Sequence, residues 1–385
     1  MILHLMEDEK FTDTIIDQFE SVAPNKSIYF VAVENPNLPL KYVKSKNENI
    51  VLDTIQSKRF IEIKSRLEFY DVVVLHNLIS PYRRNIVEEA SFSVRFHWMV
   101  WGHDYYNLFV GEKFYLSNQS IRFLKSKRNI YWYIGKFLNN YFPFFDFFLD
   151  EKSKSYLKKD INKLIKKIES FSTVVPNEVK IINNSLNKNL KYIPLKYGYL
   201  ENLILTDQSL ICMEDNFFIG NSATPSNNHF EVLDTLSKSE FHKKIYIPVS
   251  YGDKTYKNYL KDYISRNVNK DVIFLEDFLD IKRYNEILLT CGNVVMNHYR
   301  QQAMGNILIA LYNGARVFLN RKNPIYDYLN ELGIMFFDTE SDLNQFDLLP
   351  PFVELAKINR PILKEIYSKE NVIEETRHFV EHFLS

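Results

Sequence analysis

Short apolar runs separated by stretches of helical periodicity recur along the whole chain, and this alternation predicts parallel α/β units. In the first half, ILHLM (2–6), SIYFVAV (27–33), DVVVLHN (71–77), FHWMVWG (96–102) and FSTVVPN (171–177) read as strands. The second half is more regular. NFFIG (216–220), KKIYIPVS (243–250), DVIFL (271–275), GNVVMN (292–297) and ARVFLN (315–320) are each followed by a helical pattern. Each half reads as its own doubly wound parallel sheet, the two joined near KYIPLKYGYLENL (191–203). The expected organisation is α/β: a first Rossmann-like domain over 1–200, a second over 201–360, and a central cleft that they face. A final helix over 361–385 is expected to cross back and brace the first domain.

Bulk properties narrow the function classes. A length of 385 residues accommodates two domains with cores of their own. Formal net charge is zero, which argues against a general nucleic-acid binder. The balance is uneven, however, because residues 111–170 hold 13 Lys/Arg against 6 Asp/Glu. Two cysteines, Cys212 and Cys291, sit in apolar contexts without metal or redox spacing, as expected of a reducing cytoplasm. The opening MILHLMEDEK reads as a strand and not as a signal peptide, and no apolar run is long enough for a spanning helix.

In open α/β sheets ligands sit beyond the carboxyl ends of strands, so the loops that follow strands are where polar residues matter. GNSATPSNNH (220–229) offers Gly220 for a tight turn, Asn221, Ser222 and Thr224 as hydrogen-bonding groups, and Asn227 or Asn228 as a helix cap. SYGD (250–253) is a second such loop. The third, NHYRQQAMGN (297–306), predicts a helix from about Gln301 with Met304, Ile307, Leu308 and Leu311 as its buried stripe. His298, Arg300, Gln301, Gln302 and Gly305 then surround an electropositive helix start, a natural seat for a diphosphate. No Lys-Ser/Thr P-loop follows any glycine cluster, which excludes the usual ATPase or GTPase signature.

WGHDYY (101–106) follows a strand of the first half. Asp104, screened by Trp101 and Tyr105, suits general-base use, with His103 as a competing base; the alternative is that Asp104 only caps the next segment. Further on, residues 129–150 hold ten aromatics between RFLKSKR (122–128) and KSKSYLKKDINKLIKK (152–167). Rings such as Trp132, Phe144 and Phe145 beside Arg122, Lys125, Lys127 and Arg128 fit a segment lying on an anionic bilayer surface. An aromatic hairpin packed on the sheet with a solvated basic face fits them too.

The combination of GNSATPSNNH, SYGD and HYRQQAMGNI, together with WGHDYY upstream, resembles the TDP-N-acetylfucosamine:lipid II N-acetylfucosaminyltransferases, family 56 of the glycosyltransferases. The similarity is strongest over about 215–320. It implies a GT-B architecture whose second domain holds the nucleotide-sugar donor. By resemblance, the donor contacts are Asn221, Ser222 and Thr224; Ser250, Tyr251, Gly252 and Asp253; Glu276 to Phe278, which hold the base; and His298, Arg300, Gln301, Gln302, Gly305 and Asn306.

The resemblance further implies transfer of a 4-acetamido-4,6-dideoxygalactose-type sugar from a TDP-sugar to a polyprenyl-diphosphate-linked saccharide. The setting would be the cytoplasmic face of the bacterial inner membrane, in enterobacterial common antigen or O-antigen-like synthesis. Arg300 and helix N–H groups would stabilise the departing diphosphate with no metal and no cofactor, and Asp104 or His103 would take the acceptor proton. Two other readings share the architecture: a nucleotide-sugar 2-epimerase, which turns over donor alone, and a non-catalytic nucleotide-sugar scaffold at the membrane.

Overall fold

A computed structural model describes residues 1–111, 114–127 and 158–384. These fall into two compact units. The first takes 1–110, 158–202 and 366–384; the second takes 111, 114–127 and 203–365.

The first unit is built on a seven-stranded parallel sheet. Its strands are β1 (Ile2–Glu7), β2 (Ser27–Ala32), β3 (Ile50–Asp53), β4 (Val72–His76), β5 (Phe96–Val100), β6 (Ile168–Thr173) and β7 (Lys191–Tyr192), in the order β3-β2-β1-β4-β5-β6-β7. Every residue of β4 and β5 is buried, the continuous burial of strands covered on both faces. Helix α1 (Thr12–Val22) lies in one of these layers, and the final helix, Lys369–Leu384, packs beside it. Phe379 meets Phe19 edge-on at 5.6 Å, and Gln18 Nε2 donates to Thr376 Oγ1 at 3.1 Å. The predicted single terminal helix is two, Phe352–Tyr367 and Lys369–Leu384, broken at Ser368.

The second unit carries a six-stranded parallel sheet: β8 (Phe217–Ile219), β9 (Ile245–Pro248), β10 (Val272–Leu275), β11 (Asn293–Met296), β12 (Arg316–Leu319) and β13 (Phe337–Asp338). Their order is β10-β9-β8-β11-β12-β13. Strand order reverses between β8 and β11 here, and between β1 and β4 in the first unit. At such points the loops leaving neighbouring strands run apart and open a crevice. Three strands absent from the sequence reading, β3, β7 and β13, are all edge strands. An edge strand is covered on fewer sides, so it needs no continuous apolar run; every residue of β3 is only partly buried.

The basic segment divides differently from expectation. Helix α2 (Asn118–Lys127) packs on the second unit and not on the first. Ser117 N donates to Asn228 Oδ1 at 2.8 Å, Gln119 Nε2 donates to Asp234 Oδ2 at 2.6 Å, and Phe123 meets Tyr256 edge-on at 5.2 Å. Arg122 and Lys125 are exposed on this helix. The side chain of Lys127, and Arg128, Trp132, Phe144 and Phe145, lie outside the described residues. Among the described residues no helix is long and apolar enough to cross a membrane.

Candidate functional site

Two loops of the second unit flank the strand-order reversal, 220–228 after β8 and 297–303 after β11. The first turns sharply at Gly220, where φ is 69°. A Cβ there would stand 2.5 Å from Asn227 Oδ1 and 2.7 Å from His229 Nε2, so only glycine lets the loop fold back on itself. Asn227 is the hub of that fold. Its Nδ2 donates to Ser222 O at 3.0 Å and Thr224 Oγ1 at 2.8 Å, while its Oδ1 accepts from Asn221 N at 2.8 Å and lies 2.9 Å from His298 Nε2.

That last contact assigns the proton to His298 Nε2, because the amide oxygen can only accept. His298 is fully buried; burial, with Arg300 and His229 nearby, holds its pKa well below the usual histidine value. It is a neutral prop behind the loop.

The two loops are laced together at the crevice. Gln302 Nε2 donates to Asn221 Oδ1 at 2.8 Å, and Ser226 Oγ donates to Gln302 Oε1 at 2.8 Å. The hydroxyls of Ser222, Thr224 and Ser226 run in sequence at 3.0 and 3.1 Å. Arg300 reaches the same group through Nη2, 3.5 Å from Ser226 Oγ, with Nη1 donating to Gln301 O at 3.2 Å. Asn221, Ser222, Thr224, Arg300, Gln301 and Gln302 therefore come together. Ser226 and Asn227 join them as members that sequence reasoning did not single out as binding groups; the signal was the small polar residue at 222, 224 and 226.

The helix that follows runs over Met304–Tyr312 and starts three residues later than predicted. Ala303, at a left-handed φ of 61°, turns the chain into it, and no side chain caps its first turn. Met304, Ile307, Leu308 and Leu311 are buried as expected, and Ile309, Ala310 and Tyr312 are buried too. The helix is thus embedded on most sides. Gly305 is half-buried, and a Cβ there would meet only Leu203 Cδ2 at 3.6 Å, so packing does not demand glycine. Asn306 is held by Tyr284, donating from Nδ2 to its hydroxyl at 2.8 Å.

The SYGD loop is dictated by its neighbour. Ala223 N donates to Tyr251 O at 2.9 Å and Asp253 N to Ala223 O at 2.8 Å, and a Cβ on Gly252 would fall 2.4 Å from Ala223 O. The glycine answers this chain contact. Asp253 caps helix α3 (Lys254–Asn267), accepting from Tyr256 N at 2.8 Å. Ser250 and Tyr251 are exposed, and the Tyr251 hydroxyl accepts from Asn221 Nδ2 at 3.0 Å. Glu276, past β10, pairs with Lys261 at 2.5 Å and Lys257 at 3.5 Å, which holds its carboxyl below the usual range; Phe278 beside it is exposed.

In the first unit Asp104 is fully buried and already engaged. Oδ2 accepts from Leu78 N at 2.9 Å and Trp98 Nε1 at 2.8 Å, and Oδ1 accepts from Trp101 N at 3.1 Å. These bonds tie the ends of β4 and β5 together. A carboxylate that accepts from three donors and is shut from solvent anchors these strand ends. His103 is half-buried, its ring 6.4 Å from that of Trp101.

A family model described as 4-alpha-L-fucosyltransferase, glycosyl transferase group 56, matches residues 179–366, a stretch that holds both crevice loops. Over those residues the chain matches glycosyl transferase group 56. Solved structures resemble this glycosyltransferase along its full length. Anabaena Alr3699/HepE, solved in complex with UDP and glucose, matches at 10% identity and a TM-score of 0.65, covering 100% of this chain and 99% of its own. Sucrose-phosphate synthase from Thermosynechococcus elongatus matches at 10% identity and 0.63, with the same coverage. A glycosyltransferase from Rickettsia africae matches at 11% and 0.60, covering 100% and 98%. At such identities the likeness shows the fold: the GT-B arrangement of two parallel-sheet α/β domains in one chain.

Proposed function

We propose that this glycosyltransferase takes a deoxy-acetamido sugar of the 4-acetamido-4,6-dideoxygalactose type from a TDP-sugar and attaches it to a polyprenyl-diphosphate-linked saccharide. The setting is bacterial envelope polysaccharide assembly, of the enterobacterial common antigen or O-antigen kind, at the cytoplasmic face of the inner membrane. One observation carries the donor half: at the strand-order reversal of the second sheet, amides and hydroxyls fixed by one another surround a single guanidinium, Arg300. Such a cradle suits a diphosphate. Cleavage of the sugar–phosphate bond leaves charge on the diphosphate oxygen, and donors that need no reorganisation stabilise it as it develops. The helix start offers ~0.3–2 kcal/mol, and a charge-assisted bond to Arg300 roughly 1.5–3 kcal/mol. The positive charge of the protein takes the part that a metal plays elsewhere.

The acceptor half is supported by the excess of Lys/Arg over 111–170 beside ten aromatics, a composition suited to anionic lipid. The test is to incubate the protein with TDP- and UDP-sugars and a polyprenyl-diphosphate-linked saccharide while following nucleotide release. Release that requires both the TDP-linked acetamido sugar and the lipid acceptor is expected. Turnover of donor alone, or donor binding without turnover, contradicts the proposal.

A further inference from the structure

The second unit holds a cavity of about 320 Å³ that none of the groups above occupies. Phe114, Leu116, Ile121, Tyr299 and Lys322 wall it, with Ser117 and Asn118 at the start of helix α2. Buried asparagines at the ends of three strands build it. Asn228 Nδ2 donates to Asn297 O at 3.1 Å, Asn297 Nδ2 donates to Asn228 O at 3.2 Å, and Asn320 Nδ2 donates to Asn297 Oδ1 at 3.0 Å. Asn228 also accepts from Ser117 N, and Asn320 Oδ1 accepts from Lys322 N at 3.1 Å. The loops after β8, β11 and β12 and the start of α2 thus share one frame, and Tyr299 and Lys322 face the cavity from it.

The charge around this cavity is uncompensated. The Lys322 ammonium lies 4.2 Å from the centroid of the Tyr299 ring, a cation–π contact. Arg122 and Lys125, both exposed, stand one helical turn beyond Asn118 and Ile121 on the same face of α2. Among the described residues none of these three cations has a carboxylate partner. Burial, with Glu231 and Glu340 nearby, pushes the Tyr299 hydroxyl up to about 12, so it is a neutral phenol. Those two carboxylates are engaged elsewhere: Glu231 Oε1 accepts from Gln119 N at 3.3 Å, and Glu340 Oε1 accepts from Asn320 Nδ2 at 3.4 Å.

The apolar part is equally unspent. Phe114 is 61% exposed although it walls a cavity beside Leu116 and Ile121. A purely polar ligand would leave these side chains unused, and a purely apolar one would leave the cations unused. A phosphate carried on a hydrocarbon chain uses both.

We propose that this cavity seats the headgroup phosphate of one anionic membrane lipid, whose first methylenes lie against Phe114, Leu116 and Ile121. The inference rests on the reading that the protein works at an anionic membrane surface, and it gives that contact a defined seat on the second unit. Lys322 meets the phosphate in the cavity, and Arg122 and Lys125 meet neighbouring headgroups.

The test titrates the full chain with dioctanoyl phosphatidylglycerol below its micelle concentration, with dioctanoyl phosphatidylcholine, with farnesyl diphosphate and with inorganic phosphate. Sedimentation with phosphatidylcholine vesicles, with and without phosphatidylglycerol, accompanies it. Saturable binding of one phosphatidylglycerol per chain, tighter than any of the other three, is expected. Lys322→Gln and Phe114→Ser, both at exposed side chains, should each lower that affinity by roughly tenfold at an unchanged melting temperature. Replacing the exposed Lys44 and Lys46 of the first unit by glutamine should leave it as it was. An equal loss in that control, or undiminished binding by Lys322→Gln and Phe114→Ser, overturns the cavity and leaves the membrane reading standing. Tighter binding of farnesyl diphosphate or of inorganic phosphate overturns the membrane lipid as occupant. Wild-type protein that ignores phosphatidylglycerol vesicles overturns the membrane reading and this inference together.

Discussion

The two strand-order reversals are topological twins with different frames. In the second unit neutral groups bind one another: Asn227 binds Ser222, Thr224, Asn221 and His298, and Gln302 bridges Asn221 and Ser226, beside the guanidinium of Arg300. In the first unit the frame is ionic: Arg83 pairs with Glu7 and binds Asn77, and Asp104 accepts from Leu78 N, Trp98 Nε1 and Trp101 N. A ligand whose charge is permanent is best held by a rigid neutral frame around one cation, because nothing need reorganise as charge moves.

The largest expected effect concerns the neutral histidines that underlie both crevices. His4, His76 and His97 in the first unit and His229 and His298 in the second are fully buried, and burial holds each imidazole below its ordinary 6.5; His4, His97 and His229 fall to about 3. The unfolded chain therefore takes up these protons first. Their stabilising contribution is complete above pH 6.5 and is lost as pH falls toward 3, each by up to about 1.4 kcal/mol per pH unit. Glu9 acts with opposite sign. Its raised carboxyl is protonated in the folded state first, so it adds stability as pH drops from about 7 to 4.5. Five imidazoles outweigh one carboxyl, and melting temperature should fall steadily from pH 7 to pH 5. A flat profile would mean that these histidines are not neutral in the folded protein.

Next in size is Arg300→Ala, which should lower kcat/KM by about a hundredfold while the melting temperature changes little, as expected from losing one preorganised charge partner. A near-wild-type value would remove the single cation from the account of the second crevice. Smaller still is Asp104→Asn. An amide cannot accept from Leu78 N, Trp98 Nε1 and Trp101 N together without turning its own NH2 toward a donor, so stability should drop by about 1–3 kcal/mol. Activity per folded molecule should be retained. A large loss of kcat in a fully folded variant would instead assign Asp104 the role of base.

The alternation of apolar runs and helical patterns was legible because central strands are buried on both faces; β3, β7 and β13 escaped because edges relax that demand. The loops after β8 and β11 could be read as polar clusters in the right topological place. The division of labour within them could not, since the amides of Asn227 and Gln302 and the imidazole of His298 are defined by partners up to 81 residues apart. Gly252 and Asp253 look like ligand-binding residues in sequence and serve the chain itself.

The central claim is that the loops after β8 and β11 grip the nucleoside diphosphate. Hydrogen–deuterium exchange with and without TDP tests it most directly. Slowed exchange confined to the backbone amides of 221–228 and 298–306, and absent when Arg300 is replaced by alanine, is the predicted result. Protection that falls elsewhere, with those two loops exchanging as before, would contradict it.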